Sequence, residues 1–378
     1  MQVEKRRSSS LVAYVHNVDA DQCHAGLQRL LSLLGGMERF VQPGSCVFIK
    51  PNFVAPFQNA VTSYALLSGV ISRVRDAGGE PLVGESSGFE FDTEHTFKAL
   101  GLYDFAAVHD VPLLNLDKED FVRVPVENGP VRTLWIARPA MEADVLINLP
   151  RLKRHSLTRV TVGMKNLFGL LKRDSRRALH ARGIEAGIVT LNRVIQPDLT
   201  IVDGLTTLSR AVYGRPEPSG VLVGSADLRA LDPFCAGLLG VDFKSVPHVL
   251  QFAGHDPQYQ LVGDTPAPRQ RTDNDNTPLD RLYRLVFQGI YLADSAYAAF
   301  RPGHSLVPAV HYWLGIHPAI RSRDCTECGD CAEVCPADAI DVSGRRIIPS
   351  ACMSLRCLRC VKACPERAIE VKGWRRPD

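Results

Sequence analysis

Eight of the 11 cysteines in this 378-residue chain fall between Cys325 and Cys364. The first four form the run Cys325-x2-Cys328-x2-Cys331-x3-Cys335-Pro336. Spacings this short let successive thiolates wrap one cubane, and they are the spacings of a [4Fe–4S] run. A second run follows, Cys352-x4-Cys357-x2-Cys360-x3-Cys364-Pro365. Each run is followed by Ala-Ile, at Ala339-Ile340 and Ala368-Ile369, which points to a duplicated unit. Zinc sites built from CxxC pairs usually separate the pairs by a dozen residues or more. The packed spacing therefore favours iron–sulfur over zinc. The x4 interval of the second run also matches plant-type [2Fe–2S] spacing. Its shared x3-Cys-Pro ending favours a second [4Fe–4S] cluster.

The segment from 318 to 372 resembles a bacterial-type two-cluster ferredoxin domain. In such domains the fourth cysteine of each run ligates the other cluster. The resemblance thus implies one cluster on Cys325, Cys328, Cys331 and Cys364, and another on Cys352, Cys357, Cys360 and Cys335. Acidic and basic residues are mixed along the segment, so charge sign does not identify a redox partner.

Clustered thiols of this kind imply a reducing compartment. The N-terminus carries Lys5, Arg6 and Arg7, but the apolar run from Leu11 to Val15 is too short for the core of a signal peptide. Residues 1–10 read as a polar tail, as do 373–378. The best candidate for a membrane span, Leu282 to Phe300, is broken by Arg284, Gln288 and Asp294. A cytoplasmic protein without a membrane span is expected. With 45% hydrophobic residues, 22% charged residues and a net charge of +3, the bulk of the chain is neither disordered nor strongly basic.

Residues 11–265 alternate apolar runs of strand type with amphipathic helical stretches, which indicates an α/β domain around a largely parallel, Rossmann-like sheet. The second, smaller unit is an α+β two-cluster ferredoxin-like domain. Glu127-Asn128-Gly129-Pro130 reads as the turn of a hairpin. Residues 266–317 read as a linker and helical connector, with the polar stretch from Gln258 to Leu279 as linker or surface loop. In open α/β sheets, ligands bind beyond the carboxyl ends of the strands. There the sequence places Lys50-Pro51-Asn52, Glu85-Ser86, Asn148-Leu149-Pro150, Asp203-Gly204 and Ser225-Ala226-Asp227.

Arg151 to Arg182 holds ten Lys or Arg residues, His155 and His180, with Asp174 as its only acid. Lys172, Arg173, Arg176 and Arg177 read as a solvated helix face. Lys153, His155 and Lys165-Asn166 do not, because they sit among small or apolar residues after a buried strand. Residues 153 and 155 of an extended segment point to one side, and Gly163 allows the chain to turn so that 165 and 166 return towards them.

The wording from Ile147 to Gly169 resembles the signature of the DUF362 family, with Lys153, His155, Thr161, Lys165, Asn166, Phe168 and Gly169 at its positions. Ile49-Lys50-Pro51-Asn52, Gly84-Glu85-Ser86 and Gly224 to Gly240 fit as well. Arg151 and Arg154 stand where that family usually has Lys and Thr. The resemblance covers most of 11–255 and again 318–372, and it implies an iron–sulfur protein of undefined activity.

Chemistry narrows the role. His155 has the intrinsic pKa of a proton donor. Lys153, Lys165 and Asn166 would join it as catalytic residues that stabilise negative charge. Lys50, Asn52, Glu85, Ser86, Asp203 and Asp232 are the candidate substrate contacts, though both aspartates would equally orient cations or cap helices. No GxGxxG or Walker A string lies in a strand-to-helix position, so neither NAD nor a P-loop nucleotide is expected. A flavin stays open. The leading expectation is an oxidoreductase that feeds electrons from two [4Fe–4S] clusters to an anionic or carbonyl-bearing small molecule. It would draw on an external donor such as a ferredoxin or flavodoxin. The alternatives are a non-catalytic electron-transfer protein and a nucleic-acid-binding iron–sulfur protein. Sparse aromatics in the basic stretch weigh against the last. The oligomeric state stays open.

Overall fold

The computed structural model describes residues 10–88, 91–155, 157–208, 216–266, 278–301, 306–307, 310, 317–335, 338–348, 352 and 359–372. The expected tails (1–9 and 373–378), parts of the linker (267–277, 302–305, 308–309 and 311–316), and Cys357 lie outside the described residues.

The strands are β1 (Leu11–Val15), β2 (Cys46–Lys50), β3 (Glu80–Glu85), β4 (Leu113–Asn115), β5 (Phe121–Pro125), β6 (Thr133–Ala137), β7 (Val145–Asn148), β8 (Arg151–His155), β9 (Arg159–Thr161), β10 (Leu199–Leu208), β11 (Pro216–Ser225) and β12 (Gln260–Gly263). The helices used below are α1 (Cys23–Leu33), α2 (Tyr64–Asp76), α3 (Thr93–Leu100), α4 (Leu102–Val108), α5 (Arg138–Glu142), α6 (Gly163–Asn166), α7 (Arg173–Arg182), α8 (Ile184–Val194), α9 (Leu228–Leu238), α10 (Pro247–Ala253) and α11 (Pro278–Phe300).

The main sheet runs in the order β12-β1-β11-β10-β7-β2-β3-β4, with β8 and β9 added at the end of β10. It is mostly parallel; β11 is antiparallel to both β1 and β10. Alternation along each strand divides the apolar residues between two faces. Val47, Ile49, Val145 and Ile147 pack with α1 and α2 on one face. Phe48 and Leu146 pack with α8 and α9 on the other. Burial on both faces is why these strands read as continuous apolar runs.

From β2 the chain steps through β3 to β4 on one side. It then returns by the hairpin β5–β6 and enters β7 on the opposite flank of β2. The winding direction thus reverses between β2 and β7, and in open α/β sheets the ligand crevice lies at the carboxyl ends of the strands flanking such a point. They carry Lys50-Pro51-Asn52 and Asn148-Leu149-Pro150.

Two expectations are corrected here. Part of the polar stretch taken as a linker is β12, whose residues 260–263 pair in parallel with β1 and form the sheet edge. The turn that brings Lys165 and Asn166 back towards Lys153 lies in the β8–β9 hairpin, with Arg159 in the left-handed region at φ 62°, and Gly163 then opens α6. The connector helix α11 lies against α7, where Phe287 and Tyr291 pack on Ala181 and reach Leu157. No helix among the described residues is long and apolar enough to cross a membrane.

Candidate functional site

Lys153 reaches from β8 into the crevice and is 2% exposed. Its Nζ donates to Asn52 Oδ1 at 2.8 Å and to the Ala60 carbonyl at 2.9 Å. Asn52 Nδ2 then donates to Asn166 Oδ1 (2.7 Å), and Asn166 Nδ2 to Asn148 Oδ1 (2.8 Å). Asn148 Nδ2 donates to the Gly163 carbonyl (3.1 Å) and faces Thr200 Oγ1 (3.4 Å). Asn166 Nδ2 also faces the carbonyls of Lys50 and Pro51, so its amide can point only one way. That orientation forces those of Asn52 and Asn148. Three amides therefore point their oxygens back towards Lys153 along one polarised chain.

The remaining cations of the crevice are divided unequally among acids. Lys50, fully buried, pairs with Glu85 at 2.7 Å. Arg151 pairs with Asp203 at 2.8 Å. Asp203 also accepts from the backbone N–H of Ser63 and Leu205, so it orients a cation. Among the described residues Lys153 has no carboxylate partner; its two acceptors are neutral oxygens. Burial, reinforced by the charges of Arg151, Lys165 and Lys50, brings its ammonium pKa down to about 7, with Glu85 opposing. Burial also lowers Lys50, against the pull of Glu85.

Glu85 is held on all sides. Its Oε1 accepts from Ser86 N (2.8 Å) and its Oε2 from Phe53 N (3.0 Å). The Ser86 hydroxyl donates to the Gly169 carbonyl at 2.5 Å. Gly169 lies so close that a Cβ there would sit 2.3 Å from Glu85 Oε1 and 2.9 Å from Lys50 Nζ.

Asp232 contacts the site only through α6. Its two oxygens accept from the N–H groups of Gly163 and Met164, each at 3.0 Å, at the start of that short helix. Burial raises its pKa to about 6. α6 delivers Lys165 and Asn166 to the crevice, and Lys165 lies 4.9 Å above the Phe168 ring. His155 follows Lys153 by two residues. Its Nδ1 accepts from Leu157 N (3.1 Å) and Thr158 N (3.3 Å). Burial and the charges of Lys165 and Lys153 hold its pKa well below the ordinary value. A neutral imidazole is a poorer proton source than was expected of His155, whereas Lys153 exchanges its proton near neutrality.

Two of the basic residues expected on a solvated face are buried. Arg176 donates to the Ser87 carbonyl (2.6 Å) and to Asp117 (2.9 Å), and Arg177 pairs with Asp294 of α11 at 2.8 Å. Arg173 lies 3.4 Å from Asp117, while Lys172 is exposed above the Trp135 ring. The acids were distant in sequence, so the local pattern concealed these pairings. Sequence reasoning also passed over Asn192, whose amide donates to the Met164 carbonyl at 3.0 Å. A buried Asn in the middle of an apolar helix was the available signal.

In the C-terminal module, Cys325, Cys328, Cys331 and Cys364 line one hollow, walled by Ile320, Ile340 and Ile369. These are the thiols of the first expected set, drawn from both runs. The repeat is visible in the backbone. Asp338 and Arg367 both adopt left-handed φ, at 43° and 47°. Directly after them, the N–H groups of Ala339 and Ala368 donate to the Sγ of Cys335 (3.4 Å) and Cys364 (3.2 Å). Apolar walls, converging thiols and N–H donors aimed at sulfur fit an iron–sulfur cluster. Of the second set, Cys335, Cys352 and Cys360 are described, and Cys335 packs beside Cys352.

A family model described as a domain of unknown function, DUF362, matches residues 47–237. The chain belongs to the DUF362 family. A second model, described as a 4Fe-4S dicluster domain, matches residues 317–365. The "Thylakoid-associated protein sll1697" of Synechocystis sp. is 31% identical over 243 residues, covering 61% of this chain and 74% of the relative. Among solved structures, the lactate racemase apoprotein of Thermoanaerobacterium thermosaccharolyticum has a TM-score of 0.35 and 13% identity, covering 58% of this chain and 55% of that one. The DUF362 match spans the whole crevice network. The dicluster match makes the C-terminal module an iron–sulfur module, which gives the chain a redox or electron-transfer role.

Proposed function

We propose that this DUF362 protein is an oxidoreductase that binds an anionic or carbonyl-bearing small molecule in the β2/β7 crevice and reduces it. The observation that carries the reading is Lys153, a buried amine with no carboxylate partner among the described residues, set among cations where the sheet reverses its winding. Glu85 and Asp203 are committed to Lys50 and Arg151, and a substrate carboxylate, phosphate or carbonyl oxygen would supply Lys153 with a negative partner.

Cys325, Cys328, Cys331 and Cys364 would hold one [4Fe–4S] cluster, and Cys335, Cys352, Cys357 and Cys360 a second. When bound, the clusters supply single electrons, taken from an external donor such as a ferredoxin or flavodoxin. Reduction of an activated C=C or C=O bond needs two electrons and two protons. Lys153 would neutralise charge on the substrate oxygen and surrender one of the two protons, for which a pKa of about 7 suits it, and solvent would supply the other. Lys165 would add a second positive charge. His155, neutral, would orient rather than protonate. The Asn52–Asn166–Asn148 chain would keep Lys153 aimed.

The test uses anaerobic, dithionite-reduced protein freed of excess reductant and offered enoates, 2-oxo acids and aromatic carboxylates. Recovery of the oxidised cluster absorbance in step with reduced product supports the reading. Lys153→Met should then lower turnover about a hundredfold with iron content unchanged. Absence of turnover across the panel, with intact clusters, would favour a second reading. The mutual satisfaction of Asn52, Asn148 and Asn166 also suits a rigid, non-catalytic electron-transfer scaffold.

A further inference from the structure

The β8–β9 hairpin divides its side chains between two faces. Leu152 and Val160 enter the apolar core on one face, and Arg154 donates to the Leu239 carbonyl at the end of α9. The register pairs Lys153 with Thr161 and His155 with Arg159. Directly opposed residues of an antiparallel pair share a face, and so do residues two apart along a strand. Lys153, Thr161, His155 and Arg159 therefore form two successive pairs on the other face, the one from which Lys153 reaches Asn52 and Ala60. Successive pairs on one face lie about 7 Å apart, within reach of an arginine side chain.

Each of the four offers a donor. Thr161 is 4% exposed, and its hydroxyl is buried with no hydrogen-bond partner among the described residues. Arg159 is half-buried and has no ion-pair partner among the described residues. His155 Nδ1 accepts from two backbone N–H groups, so the proton of the neutral ring sits on Nε2. Lys153, when protonated, has three N–H bonds and two acceptors. Two of these residues weaken the fold. A buried hydroxyl without a partner costs stability. Arg159 holds φ at 62°, where glycine would be less strained. Neither residue is explained by folding alone.

We infer that Thr161 and Arg159 are substrate-binding residues, which together with Lys153 and the His155 Nε2–H grip one oxyanion, a carboxylate or a phosphate, through at least two of its oxygens. This deepens the proposed reading of the crevice and rests on it. A carbonyl oxygen has two lone pairs, too few for four donors. A carboxylate presents about four acceptor sites and matches a guanidinium in a two-point contact, and a phosphate does the same with a further oxygen to spare. The donor set thus selects an anion over a lone carbonyl. The Thr161 hydroxyl gains the partner that the fold withholds, and Arg159 gains a counter-charge.

The test uses the holoprotein at pH 6.5. Calorimetry measures binding of oxalate, inorganic phosphate and, as the neutral carbonyl, acetone, in wild type, Thr161→Val, Thr161→Ser, Arg159→Gly and Lys153→Met. Urea denaturation without ligand is run on the same proteins. Wild type should bind at least one of the two oxyanions, and the tighter of them identifies the carboxylate or the phosphate class. Thr161→Val and Arg159→Gly should each bind it about tenfold more weakly, with Thr161→Ser close to wild type. Their urea midpoints without ligand should not fall below that of wild type, because each change removes a feature that weakens the fold. Lower midpoints in both variants with unchanged affinity, or failure of Thr161→Val to fold, would make the residues structural and overturn the inference. So would oxyanion binding that Lys153→Met weakens but Thr161→Val and Arg159→Gly leave unchanged; the crevice reading would then stand without them. Binding of acetone and of neither anion would also overturn the inference, and would keep the reading in its carbonyl form. Wild type that binds none of the three counts against the crevice reading itself, and the inference falls with it.

Discussion

Gly169→Ala tests whether the crevice is as tightly built as its distances imply. The residue's φ lies outside the left-handed region, so the change adds no backbone strain, and any effect comes from space alone. The new Cβ would fall 2.3 Å from Glu85 Oε1 and 2.9 Å from Lys50 Cε and Nζ. Ordinary contact requires the carboxylate to retreat by roughly 1 Å. Side-chain tips usually yield cheaply, but Glu85 is pinned by Ser86 N, Phe53 N and Lys50 Nζ at 2.8, 3.0 and 2.7 Å. Retreat stretches all three bonds around a buried ion pair. Overpacking alone costs about 1–3 kcal/mol, and loss of one member of a buried ion pair about 3–5 kcal/mol. Partial disruption should therefore cost about 3 kcal/mol. Urea denaturation followed by far-ultraviolet circular dichroism would read this, with Glu85→Ala and the double variant completing a cycle. The double variant should be hardly worse than Glu85→Ala, because the clashing atom is already gone. A loss below about 0.5 kcal/mol in Gly169→Ala, or simple additivity in the cycle, would refute the reasoning.

Lys153 should give stability an unusual pH dependence. Its folded pKa of about 7 lies below the unfolded value, so the native state releases the proton first. Stability should therefore rise between about pH 7 and pH 10, by at most about 1.4 kcal/mol per unit, and Lys153→Met should remove that slope in urea titrations. Arg177→Ala removes the guanidinium paired with buried Asp294 and should cost about 3–5 kcal/mol in thermal or urea unfolding; the joint change Arg177→Met with Asp294→Leu should cost much less. Anaerobically prepared protein should contain about eight iron atoms per chain, and Cys325→Ser should lower this towards four, measured by iron assay and EPR. Zinc in place of iron would sink the redox role.

How much of this was legible depended on the range over which each pattern acts. The strands β2, β3 and β7 announced themselves as apolar runs with polar ends, because burial on both faces is a local demand. Lys50, Asn52, Lys153 and Asn166 could be singled out because each follows such a run or sits among residues too apolar for a solvated face. Their mutual geometry could not be read, since Asn52 and Asn166 are brought together across 114 positions of sequence. The row Lys172–Arg177 misled for the same reason. Locally it has few acids, but the sheet brings Asp117, and the connector helix brings Asp294, to Arg176 and Arg177. β12 was hidden by its polar, proline-rich flanks and by its place at a sheet edge, where half-buried strands carry a weaker apolar signal. The cysteines were the easiest case, because cluster ligation is written in spacings of two and three residues.

The carboxylates make a stronger argument about the crevice than any one residue does. Glu85 is committed to Lys50, and Asp203 to Arg151. Lys153 is a further cation in the same closed space, and its neighbours there are amides and carbonyls. A buried charge without compensation is avoided either by loss of the proton or by arrival of a counter-charge. Burial lowers the Lys153 pKa to about 7, which favours the first route. An anion in the crevice would take the second, and would raise the Lys153 pKa as it bound. Ligand and proton would then be taken up together at the one amine that the polarised amide chain already solvates. Replacing Asn52 or Asn166 by a carboxylate would satisfy the cation permanently. The sequence instead keeps amides there, which leaves Lys153 poised between its two states.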